Sequence, residues 1–124
     1  MDDVLATVVV GYLAKPEGEA ALEAAIEETR RRGGRLLVLW ATRETDGDVE
    51  ALRARLAATG LPFDLHPPTG AEPADDLLAA AEANAASLLV FGLRRRSPVG
   101  KLILGSNAQR LLLDATCPVL TVTA

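Results

Sequence analysis

A doubly wound α/β fold is what three features of this chain predict: a single five-stranded parallel sheet with helices on both faces. Short apolar runs alternate with helix patterns along the whole length, which is how a parallel sheet with right-handed crossovers is written. The strongest of those runs are nearly continuous in apolar residues, as strands covered on both faces must be. The first and fourth runs both end in glycine-bearing turns, at Gly11 and Gly92. With strand order 3-2-1-4-5 those two strands are neighbours, and their turns meet at the crevice where strand order reverses.

The first strand is expected over Val4 to Tyr12, and Leu13-Ala-Lys-Pro16 turns the chain into a helix with proline at its first position. Leu22, Ala25, Ile26 and Thr29 then fall at helical spacing. Arg30-Arg31-Arg32-Gly33-Gly34 closes that helix, with cations against the negative end of the dipole and glycine beyond it. Arg35 to Thr42 reads as the second strand. Thr45-Asp46-Gly47-Asp48 supplies polar cap residues for a short helix marked by Val49, Leu52 and Leu56 and ended by Gly60. Leu61 to His66 is a weaker third strand whose proline places it near a sheet edge. His66 is the only histidine and has no partner at metal-ligand spacing, so it reads as a loop residue.

Pro73 to Ala86 forms the third helix, with Asp75 and Asp76 where its dipole favours carboxylates. Leu88 to Phe91 is the fourth strand, stopped by Gly92. A basic loop runs from Leu93 to Lys101, Ser106 to Asp114 is the last helix, and Val119 to Thr123 the fifth strand. Cys117, between them, reads as a small buried hydrophobe.

The 124 residues make one domain, 1–124, with 49% hydrophobic and 24% charged residues, a balance typical of a soluble globular protein. No apolar run approaches a membrane span, and Met1-Asp2-Asp3 has no signal-peptide character, so a cytoplasmic chain is expected, with no membrane partner. One cysteine leaves no intramolecular disulfide. A net charge of −4 and four aromatic residues argue against nucleic-acid binding. Arg94-Arg95-Arg96 is therefore a local feature.

That local feature lies in the stretch with the most chemistry. A strand leads through Gly92 into a basic loop, which ends at Gly105-Ser106-Asn107 on a helix N-terminus. Free backbone N–H groups, a helix dipole and arginines together favour a phosphate there. Gly92, Arg94, Arg95, Gly105, Ser106 and Asn107 would line the phosphate side. Each also has a plainer reading. The glycines serve tight turns, the arginines sit in a solvated loop, and Ser106-x-x-Gln109 forms a capping box. The common phosphate motifs do not fit. A Walker A loop would need glycine at Arg95 and Ser or Thr at Leu102. Gly11 and Gly18 do not make a dinucleotide fingerprint. Leu13 and Ala14 stand where a phosphoacceptor receiver domain needs acids, and Leu-Ala-Lys-Pro is not a flavodoxin-type FMN turn.

Over its full length the chain resembles the universal stress proteins of the UspA type. Their nucleotide motif is Gly-x2-Gly-x9-Gly-(Ser/Thr), and Gly92, Gly105 and Ser106 occupy its first, third and fourth positions. Asn107-Ala-Gln-Arg-Leu resembles the family's last helix, Thr116-Cys-Pro-Val-Leu-Thr-Val122 its closing strand, and Val8-Val-Val-Gly-Tyr12 with Pro16-Glu-Gly18 its first turn. The resemblance implies a small cytoplasmic stress-response protein that binds ATP or a related adenine nucleotide, with or without magnesium, and is not an enzyme, although slow ATP hydrolysis stays open. It also places Gly11, Ala41, Phe91 and Arg94 around the pocket. It implies a homodimer, and the short Val/Thr-rich fifth strand at a sheet edge suits pairing with a second chain. Two positions depart from the family. Arg95 replaces the motif's second glycine, where it could either bind phosphate or obstruct the loop. Leu13 replaces the aspartate that holds the nucleoside. The alternative reading is a dimeric interaction module that has lost its ligand.

Overall fold

The computed structural model describes residues 6–40, 46–94 and 105–124. Nine elements alternate: β1 (Thr7–Tyr12), α1 (Pro16–Arg32), β2 (Arg35–Trp40), α2 (Asp46–Ala57), β3 (Phe63–His66), α3 (Pro73–Ala83), β4 (Leu88–Leu93), α4 (Ser106–Asp114) and β5 (Val119–Thr123). The strands form one five-stranded sheet in the order β3-β2-β1-β4-β5, and each neighbouring pair runs parallel. This is the predicted topology.

Strand alternation divides the core between the two faces of the sheet. Val8, Val10, Tyr12, Leu36, Val38, Trp40, Leu88 and Val90 pack with Leu22, Ala25 and Ile26 of α1 and with Leu52 and Leu56 of α2. Val9, Leu37, Leu39, Leu89, Phe91 and Leu93 pack with Ala74 and Leu77 of α3 and with Ala108 and Leu111 of α4. Val8, Val9, Val10, Val38, Leu89 and Val90 are completely buried, as central strands of a two-faced sheet require.

Local signals set several boundaries. Gly33 takes the left-handed conformation (φ 60°) at the end of α1; its N–H donates to the Arg30 carbonyl, and that of Gly34 to Thr29. This paired bonding is the Schellman stop that the Gly-Gly pair predicts. The arginines before it are solvated and pair along the helix, Arg31 with Glu27 and Glu28, and Arg32 with Glu28. At the third helix the expected end is too long: α3 stops at Ala83, Asn84 donates its side-chain amide back to the Ala80 carbonyl, and Ala85 has φ 47°. Such a side chain competes with helix hydrogen bonding, which the run of alanines concealed.

The glycine at the end of the fourth strand is a second correction. Gly92 does not stop β4, which pairs with β5 through Gly92↔Val122 and Leu93↔Thr123. Alternation aims the missing side chain of Gly92 at α1, where an added Cβ would lie 2.1 Å from the Glu17 carbonyl oxygen. The residue is a glycine because the first turn of α1 rests on β4 there. His66 closes β3 on an exposed position, and Cys117 packs partly buried beside the α3/α4 core, where burial pushes its thiol up.

Candidate functional site

A cavity of about 580 Å³ opens at the carboxyl ends of β1 and β4, the two strands between which the order reverses. Three helices send their first turns to its rim. Lys15, Glu17 and Gly18 come from the start of α1, Pro73 and Ala74 from α3, and Gly105 to Ala108 from α4. Gly11, Leu13, Phe91, Leu93, Leu77 and Leu111 supply an apolar wall, and Gly92 and Arg94 carry the exit of β4 past it.

The three helix starts differ in how their N–H groups are satisfied. At α3, Pro73 has no N–H, and the Ala74 N–H donates to Asn107 Oδ1 at 3.1 Å. At α1, Pro16 likewise removes a donor, and Lys15 at the cap makes no side-chain hydrogen bond to the helix. At α4, Gly105 is the N-cap and has no side chain, so the cap itself offers the first-turn N–H groups no side-chain acceptor. The first turn of α4, with no acidic residue of its own, therefore brings the positive end of its dipole to the cavity.

Ser106 is thus not the cap that a capping box would make it. It is the first helical residue, and the Gly105 carbonyl accepts the Gln109 N–H at 3.0 Å in its place. Asn107 lines the cavity, but its side chain caps the neighbouring helix, and its Nδ2 donates weakly to Glu72 at 3.4 Å. Arg110 one turn later reaches Asp75 at 2.9 Å, so α4 is braced against α3 at two levels.

Gly105 has the geometry of a cradle. Its φ of −70° suits any residue, and a Cβ there would meet no described heavy atom within 4 Å. Among the described residues neither backbone conformation nor packing demands a glycine there. Arg94 is exposed on the rim and has no ion-pair partner among the described residues. Lys15 is also exposed on the rim without such a partner.

Of the residues predicted from sequence, Gly11, Phe91, Gly92, Arg94, Gly105, Ser106 and Asn107 meet around this one cavity. Ala41 and Arg95 lie outside the described residues. The side of Gly11 faces Leu77, and Phe91 is buried within the α3/α4 core, so both shape the wall and offer no polar group. Sequence reasoning missed Lys15, Glu17, Gly18 and the α3 residues Pro73, Ala74 and Leu77. A usable signal existed for the first group, since the turn after β1 leads into α1 directly above the crevice. Leu77 gave no local sign of its role.

A parallel α/β domain with a cavity at its switch point belongs to the broad doubly wound class, whose ligand sites lie at the strand carboxyl ends. Comparison with known proteins narrows that class. Residues 68–123 match the model of the universal stress protein family. A universal stress protein of Mycolicibacterium smegmatis is 46% identical over 93% of this chain and 95% of its own length. The chain belongs to the universal stress protein family. Two solved members superpose over nearly the whole fold. A universal stress protein in complex with cAMP is 26% identical with a TM-score of 0.75, covering 98% of each chain. The universal stress protein from Archaeoglobus fulgidus in complex with dAMP is 25% identical with a TM-score of 0.68, covering 97% of this chain and 99% of its own.

Proposed function

We propose that the cavity binds the phosphate of ATP or a related adenine nucleotide, and that the chain acts as a small cytoplasmic stress-response protein. The observation that carries this reading is the start of α4 without a side-chain cap at Gly105, with Arg94 and Lys15, unpaired among the described residues, on the same rim. Two relatives of the same fold, solved with cAMP and with dAMP, support it. Backbone N–H groups of α4 and the Ser106 hydroxyl would hold the phosphate oxygens, Arg94 would neutralise their charge, and the apolar wall would shelter the base. Magnesium would ride on the phosphates: the described residues hold no cluster of three or more His, Cys, Asp or Glu. The site reads as a binding site and not a catalytic one, and phosphate release no faster than in a no-protein control would agree.

Leu13 favours a second reading. It stands on the cavity wall where the resemblance calls for an aspartate, and its side chain cannot accept a hydrogen bond. On that reading the domain is a dimeric interaction module without a nucleotide. Thermal-shift titration with ATP, ADP and cAMP, with and without magnesium, separates the two. Ligand binding should raise the melting temperature by about 5 °C or more at saturating nucleotide. No shift at millimolar ligand would leave the interaction module standing.

A further inference from the structure

Among the described residues that line the cavity, Glu17 is the one acidic residue. It is half-buried, and no hydrogen bond or ion pair engages it among the described residues. Its neighbours on α1 behave otherwise: Glu19 accepts from Tyr12 and Arg55, Glu23 from Arg55, and Glu27 and Glu28 pair with Arg31. The close seat of the Glu17 backbone on Gly92 fixes this residue beside the exit of β4, two residues before Arg94. A lone carboxylate at an anion site repels a bare polyanion, but it strongly accepts a hydroxyl or amino donor. The remaining polar side chains of the rim cannot take that part. Lys15 and Arg94 only donate, Asn107 Oδ1 is engaged by Ala74, and Ser106 lies at the phosphate end.

We propose that Glu17 is the cavity's acceptor for a donor group of the ligand, so that the site selects a phosphate ester bearing hydroxyls over a bare inorganic anion. This inference rests on the phosphate reading above, and it makes Glu17 a specificity residue in place of an acceptor at Leu13. The sugar diol of a nucleotide supplies such donors, and pyrophosphate does not.

The test is calorimetric titration of AMP, 2′,3′-dideoxy-AMP and pyrophosphate into the full chain and into Glu17→Gln. Wild type should bind AMP about tenfold more tightly than the dideoxy analogue, the range expected for hydrogen bonds to a charged acceptor. Glu17→Gln should shrink that ratio to about twofold and strengthen pyrophosphate binding, because it removes the charge and keeps the shape. Equal affinity for AMP and the dideoxy analogue in wild type overturns the inference and leaves phosphate binding intact. An unchanged ratio in Glu17→Gln does the same. Failure of wild type to bind any of the three overturns both readings.

Discussion

A methyl group added at Gly92 would lie 2.1 Å from the Glu17 carbonyl oxygen, whereas one at Gly105 would meet no described heavy atom within 4 Å. The two glycines occupy positions of one motif and answer to different demands, the first to packing of α1 on β4 and the second to open space. Gly92→Ala should therefore unfold more easily with or without ligand, by about 3 kcal/mol, because backbone must move. Gly105→Asp should do the opposite. An aspartate N-cap stabilises α4 by about 0.3 kcal/mol but competes for the N–H groups a phosphate would use. Thermal melts with and without nucleotide check both, and a Gly105→Asp protein that still binds would contradict the cradle. Sequence alone could not separate these glycines, since a close approach is made by residues far along the chain. Nor could it show that Ser106 lies one residue inside the helix. Its capping-box pattern is intact, yet the Gly105 carbonyl holds the cap position.

Each helix is stabilised partly from outside itself, which is where reading single elements falls short. Asn107 of α4 caps α3, so Asn107→Ala should cost about 1 kcal/mol even in the absence of ligand, through the orphaned Ala74 N–H. A loss seen only with nucleotide present would assign that side chain to the ligand. On the opposite face, Arg55 of α2 reaches Glu19 and Glu23 of α1, both at 2.6 Å, while Tyr12 donates to Glu19 at 2.6 Å. Burial pushes the Glu19 carboxyl up, but the Tyr12 hydroxyl and the Arg55 guanidinium outweigh it and hold the group below its ordinary value. Its contribution is present above the unfolded carboxylate value near 4.5 and is lost as pH falls through the lower folded value. Stability measured from pH 6 to pH 3 should fall less steeply in Arg55→Met than in wild type. An identical slope would mean that the pair contributes nothing beyond solvation.

Across the whole molecule the legible part is the topology. Alternating patterns, apolar central strands and the Gly33-Gly34 stop predict β3-β2-β1-β4-β5 with helices on both faces, and the structure has that arrangement. The site was legible only where the motif runs along one segment. Lys15, Glu17 and Leu77 reach the cavity because crossovers bring the starts of α1 and α3 to the same carboxyl end of the sheet, a relation that no local spacing encodes. The lateral edge of the sheet bears on the proposed assembly. Among the described strands β5 pairs with β4 alone, and Thr121 and Thr123 are exposed along it, with Leu113 exposed on α4 just before it. The proposed homodimer should sediment at twice 13.0 kDa, and Thr121→Lys should shift it toward monomer by charging the edge. A wild-type chain that sediments as monomer at high micromolar concentration would remove the dimer and leave the cavity untouched. The central claim concerns the cavity, and its most direct test is calorimetric titration of ATP and AMP into wild type and Arg94→Ala. Saturable one-to-one binding that weakens about tenfold or more without the guanidinium is the predicted result. Undetectable heat at millimolar nucleotide, or affinity indifferent to Arg94, would contradict it.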